Sequence, residues 1–255
     1  MSCIKPRREV VIPPKPGYDS GVHRISKDRY IVVSTDPCTG VPREWFGWLL
    51  VHYAASDVAL FGAEPRYLAL TLLGPPQTRF ESYRRVMHQA CAAADKLNAT
   101  IVTGHTGNYN GLTSMVGTCT AYGFVSRKEL ITPGGSRSGD LILCTKSLGL
   151  EVLANFALTR RTLASEIFGR KGALRLSRMV RVQSSVREAL LLSKIHGVHA
   201  MHDATEGGLV AALNEMADAA KLGFKVDFEK LPIPNEARTL ADRYDLGALE
   251  LMAMS

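Results

Sequence analysis

YIVVSTDPCTG (residues 30–40) and VPREWFGWLLVHYAASDVALFGAEP (residues 41–65) form the stretch whose reading decides the fold. Tyr30 to Ser34 is a short apolar, β-branched run that stops at Thr35-Asp36-Pro37, which predicts a strand with Asp36 at its carboxyl end. From Arg43 to Phe61 nearly every residue is apolar and only Gly47 interrupts, so this segment predicts a helix buried on most sides. Asp57 lies inside it. A buried, ionised carboxylate is costly without a compensating partner, and Asp is a weak helix former. Either it is bonded to a neighbouring helix end or an Arg, or it converges with Asp36 on a cation.

Composition sets the frame around this stretch. With 255 residues and 46% hydrophobic content, the chain can bury a core and is long enough for two lobes. Cys3, Cys38, Cys91, Cys119 and Cys144 are scattered and odd in number, which predicts neither a disulfide framework nor a zinc site and suits a reducing cytoplasm. The N-terminus lacks an apolar signal core and no apolar run reaches spanning length, so neither export nor a membrane partner is expected. A net charge of +7 invites nucleic acid, but the basic residues are diluted by 24 acids, and no nucleic-acid partner is expected. The densest basic region, Arg160 to Arg187, reads as a solvated helical face or as a surface meeting an anionic substrate or partner.

Working outward, residues 1–18 form an arm with one β-branched patch, Val10 to Ile12, that suits an edge strand. Tyr67 to Leu73 predicts a strand, and Phe80, Tyr83, Val86, Met87, Ala90, Ala93, Ala94 and Leu97 form an apolar stripe on a helix from about Thr78. Thr100 to Thr103 predicts a short strand ending in a Gly104-His105-Thr106-Gly107 turn, and Ser114 to Val125 another strand. The turn formers of Thr132 to Asp140 mark a boundary, dividing the chain into a first lobe at 19–135 and a second at 136–255. In the second lobe, strands are expected at Leu141 to Thr145, Val198 to Met201 and Lys225 to Phe228. Helices are expected at Glu151 to Leu158, Ser184 to Ile195, after Gly208 and at Glu236 to Arg243.

Three polar turns follow short strands: Thr35-Asp36-Pro37, Thr103-Gly104-His105-Thr106-Gly107 and His202-Asp203-Ala204-Thr205-Glu206-Gly207-Gly208. Glycines let a phosphate approach the backbone, a helix start near Gly208 offers amides to an anion, and carboxylates suit Mg²⁺. Taken singly, a Gly-Gly before a helix is usually only a turn. The combination points to phosphate with Mg²⁺.

Read with their neighbours, these segments resemble the superfamily of aminoimidazole ribonucleotide (AIR) synthetase, which includes thiamine monophosphate kinase, selenophosphate synthetase and the hydrogenase-maturation carbamoyl dehydratase. YDSGV (18–22), VVSTDPCTG (32–40), ASDVALFGAEP (55–65), IVTGHTG (101–107), SGDLILCTKSLG (138–149) and MHDATEGGL (201–209) are similar to its motifs, in its order. The resemblance implies an α+β, two-lobe fold whose N-terminal lobes pair as a homodimer around a shared β-barrel, with an α/β C-terminal lobe that is truncated at Ser255. It implies ATP, with Asp19, Asp36 and Asp57 holding Mg²⁺, and with Thr35, Gly104, Thr106, Gly107, Thr205, Gly207 and Gly208 around the nucleotide. His105, Asp203 and Glu206 take the catalytic positions, and the reaction implied is phosphoryl transfer to an oxygen of a small-molecule substrate. A non-catalytic nucleotide-binding or scaffold homologue is the alternative.

Two departures stand out. His105 replaces the acid that relatives carry in that turn; it is a turn histidine bonded to nearby backbone, or it contacts phosphate or handles a proton. If the ring stands opposite Asp19, Asp36 and Asp57, the cation site is short of one anionic oxygen. The chain also ends in DLGALELMAMS, without the terminal cysteine of the hydrogenase-maturation protein, so that protein's thiocyanate chemistry on a C-terminal thiol is not expected here.

Overall fold

The computed structural model describes Lys5 and residues 7–251. The chain forms two compact units, one running to Leu130 and including Ala189–His196, the other comprising Ile131–Glu188 and the residues from Gly197. Cys3 and Met252 lie outside the described residues.

The first unit is built on six strands, β1 (Val10–Ile12), β2 (Ser20–Arg24), β3 (Arg29–Cys38), β4 (Glu64–Gly74), β5 (Thr100–Asn108) and β6 (Val116–Ser126), in the spatial order β1-β2-β3-β6-β4-β5. All neighbours are antiparallel except β4 and β5, whose parallel pairing needs the crossover helix α2 (Phe80–Lys96). Helix α1 (Phe46–Leu60) joins β3 to β4 and packs on both, as well as on β6. Alternate residues of the sheet, including Val32, Leu68, Leu70, Leu72, Cys119 and Ala121, are buried, while Ile31, Val33, Tyr67, Tyr122 and Phe124 on the opposite face remain partly exposed.

The near-continuous apolar run becomes a helix buried all round, as its composition dictates, with Leu49, Leu50, Val51 and Val58 fully enclosed. Each such side chain contributes about 1.5–3 kcal/mol on burial. Gly47 is there because α2 passes against it: a Cβ would stand 2.1 Å from the carbonyl oxygen of Val86. Gln89 clamps the crossing, accepting from the Gly47 amide at 2.8 Å and donating to the Arg43 carbonyl at 3.2 Å.

The ladder alters two expectations. β3 continues two residues beyond Asp36, and Gly104 to Gly107 lie within β5 rather than in a turn after it. β3 and β4 are each paired on both sides, and the edge strands of the sheet are β1 and β5.

In the second unit, α3 (Leu150–Thr159), α4 (Arg161–Arg178) and α7 (Asn235–Tyr244) enclose Leu153, Leu176 and Leu240, while α6 (Gly208–Ala220) packs Ala212 with Leu148 and Ala204. A further helix, α5 (Val186–Leu192), begins in this unit and from Ala189 onward belongs to the first. The arginines of α4 are exposed, as a solvated face requires. None of the stretches Leu141–Thr145, Val198–Met201 and Lys225–Phe228 is a strand among the described residues; Leu141 and Leu143 are 88% and 78% exposed. Among those residues, no helix is long and apolar enough to cross a membrane.

Candidate functional site

Alternation along β3 turns Ser34 and Asp36 toward the face that α1 covers. There the Ser34 hydroxyl donates to Oδ2 of Asp57 at 2.6 Å, and Asp57 is only 4% exposed. Asp36 sits opposite Cys119 in the ladder. Burial pushes the Cys119 thiol up to about 12, and the charges of Asp36 and Asp57 both push the same way. The two carboxylates therefore share the neighbourhood of one buried thiol. Like charges in a desolvated space favour a cation between them.

Asp19, exposed, lies one step before the Ser20–Ser34 pair and so at the same end of the sheet as Asp36. Thr35 projects to the opposite face, where its hydroxyl meets that of Thr120 at 2.9 Å. The same register divides the IVTGHTG strand. Gly104 stands in the row Asp36, Cys119, Leu70, Gly104, whereas His105 stands in the row Pro37, Thr118, Thr71, His105. Paired residues share a face, so the sheet separates the His105 ring from Asp36 and Asp57, contrary to the expectation that it stands opposite them. Its Nε2 lies 2.8 Å from the Tyr109 hydroxyl instead. Gly107 shares the His105 face and Thr106 the Gly104 face. The end of the strand is pinned by Asn108, whose Oδ1 accepts from the Tyr83 hydroxyl at 2.6 Å and whose Nδ2 donates to the Pro76 carbonyl at 2.9 Å.

In the second unit, Asp203 is buried at 2% exposure, directly before a turn in which Thr205 accepts from the Gly208 amide at 2.9 Å through its carbonyl. Gly207 and Gly208 both adopt positive φ, 77° and 59°, and a Cβ on Gly208 would stand 2.4 Å from the Leu249 carbonyl oxygen. Only glycine fits this start of α6, and no side chain caps it. Glu206 is exposed beside it. His202, which the sequence places in this turn without a role, has its Nε2 3.0 Å from Glu215 and its Nδ1 3.4 Å from Oδ1 of Asp203; the Glu215 partner, 13 residues away, is not legible from the turn itself. Lys146 is a second such residue. Burial lowers its ammonium from the usual range while Glu188 opposes that, and it donates to the Ser184 carbonyl at 2.7 Å.

Each unit thus carries acidic residues beside glycine-shaped backbone, near the end of β3 in the first and before the start of α6 in the second. Residues 17–125 match the family described as AIR synthase related protein, N-terminal domain, and residues 137–252 its C-terminal domain. Carbamoyl dehydratase HypE of Bradyrhizobium diazoefficiens is 30% identical over 73% of this chain and 52% of its own length. Thiamine-monophosphate kinase of Methanospirillum hungatei is 27% identical over 75% of this chain and 59% of its own. The solved structure of hydrogenase maturation protein HypE in complex with ATP superposes with a TM-score of 0.73 at 25% identity, over 91% of this chain and 68% of that one. The chain spans 51–65% of the length of the first curated relatives it matches.

Proposed function

The chain belongs to the AIR synthase-related family, and from that premise we propose that it is an ATP- and Mg²⁺-dependent enzyme transferring a phosphoryl group to an oxygen of a small-molecule substrate. The observation that carries this reading is the convergence of Asp36 and Asp57 beside Cys119, with Ser34 fixing the Asp57 carboxylate.

The donor set fits the group. Hard carboxylate oxygens suit Mg²⁺, and two of them in a partly desolvated space gain from its charge. Asp36, Asp57 and, from the same sheet end, Asp19 would hold the cation. ATP with Mg²⁺ supplies the transferable phosphoryl group and neutralises part of its charge. Ser34 orients Asp57, so the carboxylate is set before a ligand arrives. The uncapped amides at the start of α6, made accessible by Gly207 and Gly208, suit an oxyanion, and Thr205 and Glu206 border them. Asp203 is the base that takes the proton of the substrate oxygen; Nδ1 of His202 stands 3.4 Å from its Oδ1 without a hydrogen bond between them.

We assign Gly104 and Thr106, which share the face of Asp36, to the nucleotide side of that cation site, and Thr35, His105 and Gly107 to the opposite face of the sheet. The protein acts as a homodimer: the exposed β5 edge and the partly exposed face carrying Tyr67, Tyr122 and Phe124 suit a second copy. The unbridged thiols of Cys38, Cys91, Cys119 and Cys144 suit the cytoplasm.

ATP-to-ADP turnover, screened over small alcohols, acids and monophosphates, tests the reading. Turnover with one substrate class, abolished by Asp57→Asn and by Asp203→Asn, is expected. Nucleotide binding without turnover on any substrate would leave the non-catalytic scaffold instead.

A further inference from the structure

All of the chain's net charge of +7 resides in one stretch of the second unit. Residues 160–187 hold eight of the 31 Lys and Arg but only one of the 24 Asp and Glu, so the remainder of the chain is neutral in sum. After Glu166 the stretch carries Arg170, Lys171, Arg175, Arg178, Arg181 and Arg187 with no acid among them, and all six are exposed.

Helix formation does not account for this face. Gly169, at φ 68° and ψ 160°, breaks α4, so a second helical segment starts at Arg170. Cations in a helix's last turn gain from its dipole, which accounts for Arg175 and Arg178, but Arg170 and Lys171 stand in a first turn, where the dipole opposes them. Lys171 and Arg175 are four positions apart, and like charges at that spacing destabilise a helix. A face that serves only to keep a helix solvated mixes both signs. Here Arg175 meets Glu236 of α7, while Arg170, Lys171 and Arg178 have no ion-pair partner among the described residues. Leu174, four positions from both Arg170 and Arg178 and so on their side of the helix, is 54% exposed.

We propose that this face docks an acidic segment of another protein, one that carries Asp or Glu around an aliphatic side chain. Carboxylates match the guanidinium forks of Arg170 and Arg178, about 12 Å apart along the axis at 1.5 Å per residue, and the aliphatic group covers Leu174 between them. A second copy of the chain fits poorly, since its same face is equally positive and the rest of it is neutral in sum. No aromatic side chain is exposed between residues 160 and 187, so a nucleic-acid strand finds no stacking surface. The apolar side of the segment, with Ala173 and Leu176, is turned into the unit's own core, which leaves no broad apolar face for a lipid surface. None of these residues belongs to the proposed ATP and Mg²⁺ site, so the inference goes beyond the phosphoryl-transfer reading and stands independently of it.

Fluorescence anisotropy of a labelled peptide of repeating Glu-Glu-Leu-Glu, titrated with the full chain, tests it. A Glu-Glu-Ser-Glu peptide is the second probe, and oligouridylate and phosphatidylserine vesicles are the competitors. Saturable binding at one peptide per chain is expected, weakened about fivefold in the serine peptide and about tenfold by Arg170→Gln with Arg178→Gln, as the loss of two surface ion pairs allows. Leu174→Ser should weaken the leucine peptide and leave the serine peptide unchanged. Lys27→Gln with Lys128→Gln removes the same charge from exposed positions of the first unit and should change binding less than about twofold. All of these side chains are exposed, so the variants keep the fold. No saturable binding, equal affinity for the serine peptide, an equal effect of the two double variants, or stronger competition by oligouridylate or by the vesicles than by unlabelled leucine peptide would each overturn the assignment.

Discussion

Ser34 on β3 and Asp57 on α1, 23 residues apart in sequence, are joined by a 2.6 Å hydrogen bond inside the first unit. The bond ties the inner face of a strand to the helix that covers it. Removing the donor leaves a buried carboxylate short of one partner. Ser34→Ala should therefore lower stability by about 1.5–3 kcal/mol, the range for a hydrogen bond to a charged group, measured by urea unfolding. A loss under 0.5 kcal/mol, on the order of a surface substitution, would show that Asp57 does not depend on Ser34.

Cys119 gives the pH dependence. Its thiol is raised from 9.0 to about 12 in the folded chain, first by burial and then by Asp36 and Asp57. The folded state therefore keeps a proton that the unfolded state sheds near 9. The stability associated with that proton is fully present below pH 9 and is lost as pH rises toward 12, up to about 4 kcal/mol in all. Unfolding of parent and Cys119→Ala, compared at pH 8 and pH 10.5, should show a steeper alkaline loss in the parent. Parallel losses would mean that the thiol ionises equally in both states.

His105 supplies a test of the strand register. Because its row in the sheet is Pro37, Thr118 and Thr71, the ring lies on the far side from Asp36 and Asp57. His105→Asp should leave Mg²⁺ affinity in the absence of nucleotide unchanged within twofold, roughly 0.4 kcal/mol, in calorimetry. Tightening in the mutant would place residue 105 with the carboxylates and contradict the register.

Gly208→Ala should destabilise the second unit by about 1–3 kcal/mol, because the added Cβ meets the Leu249 carbonyl at 2.4 Å and the backbone holds φ at 59°. Gly223→Ala, where a Cβ meets nothing within 4 Å, is the control. Equal melting temperatures for the two variants would show that the turn relaxes freely.

Much of the first unit was legible in the sequence because its signals are dense. Arg43 to Phe61 is too apolar for anything but a buried helix, and the stripe from Phe80 to Leu97 has helical spacing. Turn signals were less decisive: the Gly104 and Gly107 flanking His105 read as a turn, yet pairing with β4 carries the strand through to Asn108. A strand's extent is set by its neighbour in the ladder, which local sequence does not reveal. The same reason accounts for Leu141 to Thr145, whose β-like pattern forms no ladder among the described residues. At the site, Asp36 and Asp57 announced themselves as acids in apolar company. Ser34 and His202 did not, because what distinguishes each is a partner distant in sequence.

The central claim is that Asp36 and Asp57 form the cation site through which this chain binds ATP. The most direct test is thermal unfolding of the parent, Asp36→Asn and Asp57→Asn, each with and without millimolar ATP and Mg²⁺. Ligand that binds only the folded state at a hundredfold its dissociation constant adds about 2.7 kcal/mol. The account predicts a melting temperature raised by several degrees in the parent, a rise that needs Mg²⁺, and the loss of most of it in both variants. No rise in the parent, or an equal rise in variants that fold as it does, would contradict it.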